Sequence, residues 1–202
     1  TEHAADIAEQ AGKAVQEEVL LGMLHKVQAI WAELEFTTLP FKDTRDVEIL
    51  GGIDDVFEAL DESLVSLNTI LGSRFVGPIK SEVEEELRQL NTLQMVLEEW
   101  AQLQKQWMYL FPIFRGGSDI QRQLVTEHKS FMAVDAWYKE IMKRVRDDPN
   151  ARRTGIREGL YQLFRKHNET LDDIQRHLDD YMEGKRMLFP RFYFLSNDDL
   201  LH

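Results

Sequence analysis

Apolar residues recur at three- to five-residue steps over most of the chain, the spacing of helices with one buried side. Ile7, Ala11, Ala14, Val19, Met23, Val27, Ile30 and Leu34 trace one stripe of a first long helix. The period then shortens to two. Leu34, Phe36 and Thr38 alternate with Glu33, Glu35 and Thr37; beyond the turn residues Pro40, Lys42 and Asp43, Val47 and Ile49 alternate with Asp46 and Glu48 until Gly51-Gly52. This predicts one β-hairpin at about 33–50, too small to stand alone and therefore packed on helices.

Ile53, Val56, Phe57, Leu60, Leu64, Leu67 and Leu71 mark a second helix that Gly72 ends. Pro78 suits the first position of a third, with Val83, Leu87, Leu90, Leu97, Trp100 and Trp107 inward and Pro112 as its limit. Gly116-Gly117-Ser118 is the clearest internal break. After a turn at 119–124, a fourth helix with Thr126 as its cap buries Phe131, Val134, Tyr138, Ile141 and Val145. Residues 147–155 read as a polar loop. A fifth helix follows on Ile156, Leu160, Leu163, Leu171, Ile174, Leu178 and Tyr181, with Gly184 as its stop. Past an aromatic run at 188–195, Ser196 caps a new helix begun by Asp198 and Asp199 only a few residues before His202, which reads as a piece of a longer chain. The expected fold is mainly α: an elongated bundle of long amphipathic helices with one small β-hairpin. Two helical sub-bundles of one domain are expected, 1–115 with the hairpin and 116–202.

Charge narrows the partners. The 202 residues hold 24 Lys+Arg against 36 Asp+Glu, a formal −12, so nucleic acid and anionic membrane are poor non-specific partners. The imbalance is one-sided: residues 1–100 hold 7 basic and 21 acidic side chains, residues 101–202 hold 17 and 15. Zero cysteines exclude disulfides, thiolate metal sites and Cys nucleophiles. The longest nearly apolar run, Val19 to Leu24, is far below the roughly 20 residues that span a bilayer, and Thr1 to Asp6 lacks a signal peptide's basic-then-apolar layout. A soluble, intracellular domain is expected.

Searches for chemistry return little. Gly12-Lys13 and Gly184-Lys185 lack the preceding glycine and following Ser/Thr of a phosphate-binding loop. His25, His128, His167 and His177 have no Glu three residues before them, and no histidines pair at a four-residue spacing. Neighbouring carboxylates such as Glu82, Glu84, Glu85 and Glu86 share one helix surface rather than facing each other across a cleft. No serine sits in a nucleophile-elbow setting. No catalytic, cofactor-binding or metal residue is assigned, and no enzyme activity is expected of this segment.

Two candidate docking features remain. Lys139, Lys143, Arg144 and Arg146, with Arg152, Arg153 and Arg157, form a basic cluster that is either a patch for an acidic surface or an ordinary charged helix end. Phe189, Arg191, Phe192, Tyr193 and Phe194 crowd four aromatics into six residues around Pro190, more than one short element can bury.

The run from Lys185 to Leu201 also resembles a signature in the linker of dynein heavy chains. Gln106-Trp107-Met108-Tyr109-Leu110, Pro112-Ile113-Phe114 and Asp119-Ile120-Gln121-Arg122-Gln123-Leu124 are similar to that family's middle block, in the same order. Phe131 with Val134-Asp135, and Trp31 with Phe36, Leu39-Pro40 and Ile49-Leu50-Gly51, extend the likeness to roughly residues 25–202. The stretch from Gly72 to Val76 leans toward axonemal, ciliary chains. Phe111 and Val125 depart from the family's usual acidic residue and proline.

The resemblance implies a mechanical role. A linker arches over the AAA+ ring of the same heavy chain and bends and straightens with the nucleotide cycle, passing the displacement to the tail. It also implies that ATP and Mg belong to the downstream ring and not to this segment. Dynein-associated chains would be neighbours, microtubules would be reached only through the parent protein, and the location would be cytoskeletal, in a ciliary or flagellar axoneme. Periodicity and composition alone fit equally well a free-standing helical scaffold or adaptor of spectrin-like type.

Overall fold

The computed structural model describes every residue except Asp43, Ser118, Tyr193 and His202, and describes Phe192 by its backbone alone. The described elements are helices and one two-stranded hairpin: α1 Glu2–Glu33, β1 Thr37–Pro40, β2 Glu48–Gly51, α2 Ile53–Leu71, α3 Lys80–Arg115, α4 Asp119–Gln123, α5 Val125–Asp147, α6 Ala151–Gly155, α7 Leu160–Leu188 and α8 Asn197–Leu200. Short 3-10 turns occupy Gly77–Ile79 and Pro190–Phe192. The mainly-α fold with one small hairpin is therefore as the periodicity predicts. Among the described residues, no helix is long and apolar enough to cross a membrane.

The chain forms two compact units whose segments alternate along the sequence. The first comprises Thr1–Leu39, Leu50–Leu97 and Arg144–Glu158; the second comprises Pro40–Ile49, Glu98–Lys143 and Gly159–His202. Gly116 and Gly117 fall inside the second unit.

In the first unit α1 and α2 pack together. Leu20, Leu24, Val27 and Trp31 are buried with Val56, Leu60, Leu67 and Ile70. Trp31 is the anchor: its indole N–H donates to the buried Ser63 hydroxyl at 2.9 Å, so a large aromatic enters the core with its polar atom satisfied. The single stripe expected along α1 does not hold. Ile7, Val15 and Val19 are exposed, and every residue up to Gln16 lies at the surface.

The end of α1 is closed by residues more than a hundred positions away. Ala151 N–H donates to Leu34 O at 2.9 Å, and Phe36 N–H donates to Pro149 O at 2.7 Å. The Asn150 side-chain amide donates to Ala32 O at 3.1 Å, one of the carbonyls the last turn of a helix leaves without a partner. The expected polar loop at 147–155 is therefore a correction, because it holds α6. Asn150 caps that helix by accepting from Arg153 N–H at 2.9 Å, and the Thr154 hydroxyl donates to Asp148 O at 2.7 Å. Ala151, Thr154 and Gly155 are buried, and a Cβ on Gly155 would run into Leu93.

The second unit has an aromatic core. Trp107 lies 5.2 Å from Phe41, 4.9 Å from Phe111 and 5.1 Å from Tyr138, ring centre to ring centre. Trp100 stacks on Phe164, and Phe114 on Phe131. Polar groups thread this core, most of them hydrogen-bonded, although Asn168 Oδ1 and Gln106 Oε1 are buried without a partner among the described residues. Trp107 N–H donates to Asp135 Oδ1 at 3.1 Å, and Lys139 Nζ donates to Asp135 Oδ2 at 2.8 Å. The Tyr138 hydroxyl donates to Gln104 Oε1, and the Asn168 amide donates to Glu99 at both its backbone oxygen and Oε2. Burial pushes the Tyr138 phenol far above its ordinary range.

Four expected helix ends move. α5 begins at Val125, so Thr126 lies inside it and does not cap it, and α7 begins only at Leu160, leaving Ile156 as the C-cap of α6. α3 continues three residues past Pro112, which costs the helix one hydrogen bond to the carbonyl four residues back and crowds that carbonyl without ending the helix. α7 runs through Gly184 to Leu188, since one interior glycine costs only about 1 kcal/mol against the packing of the long helix.

Candidate functional site

The sequence singles out eight residues as docking candidates, and they stand in two different settings. Arg152 lies on α6 with its guanidinium 2.6 Å from Glu86 Oε2 on α3; the two side chains are 19% and 12% exposed. That charge is spent inside the first unit, joining two of its helices. Arg153, one position on, is exposed and grips the Asp148 carboxylate with two 2.6 Å hydrogen bonds. The Arg153 hydrogen bonds and charge, with Arg157 adding to the field, hold the Asp148 carboxyl below its usual value. Arg157 is exposed just past the end of α6. Lys139 and Lys143 belong to the second unit, where Lys139 is engaged by Asp135. Arg153 and Arg157 are exposed beside the acidic Asp148, and Lys143, Arg144 and Arg146 are exposed along the last turns of α5.

The aromatic segment follows α7. Phe189 occupies its C-cap and is half exposed, and the Arg191 guanidinium sits 5.9 Å from the Phe189 ring centre. Phe192 closes the 3-10 turn begun by Pro190, and Phe194 is 95% exposed. Tyr193 lies outside the described residues. Met187, Leu188 and Leu195 add exposed apolar surface next to these rings.

A residue the sequence reading passed over holds this segment in place. Arg186, in the last turn of α7, donates from Nε to Leu195 O at 3.1 Å and from Nη2 to Asn197 Oδ1 at 2.5 Å. Asn197 in turn donates to Asp179 Oδ1 at 2.9 Å, one helix face back along α7. Ser196 and Asp199 form a reciprocal capping box at the start of α8, as the Ser-x-x-Asp pattern predicts. Asp198 accepts a hydrogen bond from Tyr109 on α3; burial first, then the Asp198 charge and that bond, raise the Tyr109 pKa. The result is that the exposed Phe189, Phe194 and Leu195 follow α7 on a segment tied back to that helix at Leu195 O and Asn197. The signal of this tie in the sequence is only that Arg186 falls inside the run from Lys185 to Leu201.

Among the described residues, no group of three His, Asp or Glu side chains converges in a way that holds a metal ion. The groups that converge on these surfaces are guanidinium–carboxylate pairs and apolar rings, the kinds of group found in protein contacts.

The whole chain, residues 1–202, matches the family described as dynein heavy chain, N-terminal region 2. It is 46% identical over 196 residues to human dynein axonemal heavy chain 6, covering 97% of this chain and 5% of that protein. It is 40% identical over 200 residues to mouse dynein axonemal heavy chain 2, covering 99% of this chain and 4% of that one. Rat dynein axonemal heavy chain 12 shares 36% over 173 residues, 86% of this chain and 6% of its own length. The chain thus spans about one-twentieth of the length of the curated relatives it matches.

Proposed function

Because the chain belongs to the dynein heavy chain family through its N-terminal region 2, we propose that it works as a mechanical element of an axonemal dynein motor: the linker segment that transmits ring-driven displacement toward the tail. The observation that carries this reading is the match over all 202 residues, joined to 46% identity with an axonemal heavy chain. The physical character of the chain supports it. Helices of 32, 36, 23 and 29 residues, closed by buried tryptophans and satisfied polar pairs, make stiff elements that resist gradual deformation.

In this reading the segment performs no catalysis. ATP and Mg are handled by the AAA+ ring of the parent heavy chain, and microtubules are engaged only through that parent, in the axoneme. The exposed Arg153–Arg157 pair and the pinned aromatic loop from Phe189 to Phe194 are the surfaces that dock on the ring or on neighbouring heavy-chain segments. Polar and partly apolar contacts of this size release readily, as a cyclic element requires.

The test uses an axonemal heavy chain carrying this segment, assayed for microtubule gliding and for basal ATP hydrolysis. Arg153→Glu together with Arg157→Glu should slow gliding while leaving basal hydrolysis unchanged, because neither side chain supports the interior. Unaltered gliding in that variant and in a Phe194→Ser variant removes the docking assignment. A blot of axonemal extract with an antibody to this segment addresses the parent: a band near 23.7 kDa would show a free-standing protein and overturn the motor reading.

A further inference from the structure

We draw no further inference here: the strongest candidate, the cavity of about 410 Å³ in the second unit lined by Lys42, Tyr109, Ile113, Ile120, Asp198 and Leu201, sets an ammonium and a carboxylate of opposite sign among apolar walls, and nothing in the structure shows what fills it.

Discussion

Trp107 and Asp135 meet across 3.1 Å in the core of the second unit, the indole N–H on α3 donating to a carboxylate on α5 that is only 2% exposed. The same carboxylate takes Lys139 on its other oxygen. Each partner makes the others tolerable: the tryptophan supplies buried area, the aspartate satisfies its N–H, and the lysine balances the aspartate. Asp135→Leu removes the acceptor of the buried Trp107 N–H and the counter-charge of the part-buried Lys139, so it should cost about 2–4 kcal/mol. Asp135→Asn keeps an oxygen for Trp107 and should cost distinctly less. Urea unfolding of the two variants checks the order; equal losses would mean that Trp107 does not depend on this acceptor.

Arg152 and Arg153 should behave oppositely despite being neighbours. Arg152→Ala strands Glu86, a carboxylate 12% exposed, and should destabilise by about 3 kcal/mol. Arg153→Ala loses only an exposed pair with Asp148 and should leave stability close to that of the parent. Thermal unfolding of both single variants reads the contrast directly.

Glycine-to-alanine exchange should change sign with position. At Gly155 the added methyl meets the buried Leu93, and overpacking of this kind costs about 1–3 kcal/mol. At Gly184, inside α7 with open space around it, the same methyl should stabilise by about 0.5–1 kcal/mol. Denaturant midpoints should therefore move down for the first and up for the second.

The α8 pin is a local device. Arg186→Ala removes donors to Leu195 O and Asn197, and Ser196→Ala removes the cap, worth about 1 kcal/mol. Amide hydrogen exchange at 195–200 should speed up in both variants while the amides of the aromatic core keep their protection. A global loss of protection would show instead that the pin supports the whole unit.

His167 gives a window in pH. Its ring lies 4.2 Å from that of Trp137, and burial, then the charge of Lys166, lowers its pKa below 6.5. The unfolded chain accordingly takes up the proton more readily than the fold does. Stability from this group is complete above pH 6.5 and is lost as pH falls through that value toward the lower folded-state pKa. Urea midpoints taken just below pH 6.5 should fall in the parent and stay flatter in His167→Gln, before the carboxylates begin to titrate.

The readable parts of the sequence were those where the deciding partner lies nearby. The Ser196 cap pairs with Asp199 three residues on, and the hairpin announces itself by its alternation around residues 41–46. Trp100 and Trp107 are core residues, as their places on the third helix's stripe predict. Trp107 and Asp135, which come from two separate blocks of the resemblance, form one hydrogen-bonded pair. What the sequence hid depends on distant partners. Arg152 looks like one more surface cation until Glu86, 66 positions away, is beside it. Helix α6 looks like a polar loop because its cap, Asn150, is itself held by carbonyls at the end of α1. The exposure of Ile7 and Val19 on α1 escapes a stripe drawn with five-residue steps, since each such step shifts the side by more than a third of a turn.

The tie between Asn150 and Ala32, 118 positions apart, bears on how the chain is born. A ribosome releases helices α1 and α2 long before the residues at 149–151 that close the end of α1 and complete their core. At about 5–20 residues per second, that core waits several seconds or more with buried-type surface such as Phe36 and Leu93 uncovered. Long-range closure of this kind also slows folding after release. During synthesis the N-terminal half is thus a natural client for chaperones, and a ribosome stalled before residue 149 would display an unfinished first unit however well its helices had formed.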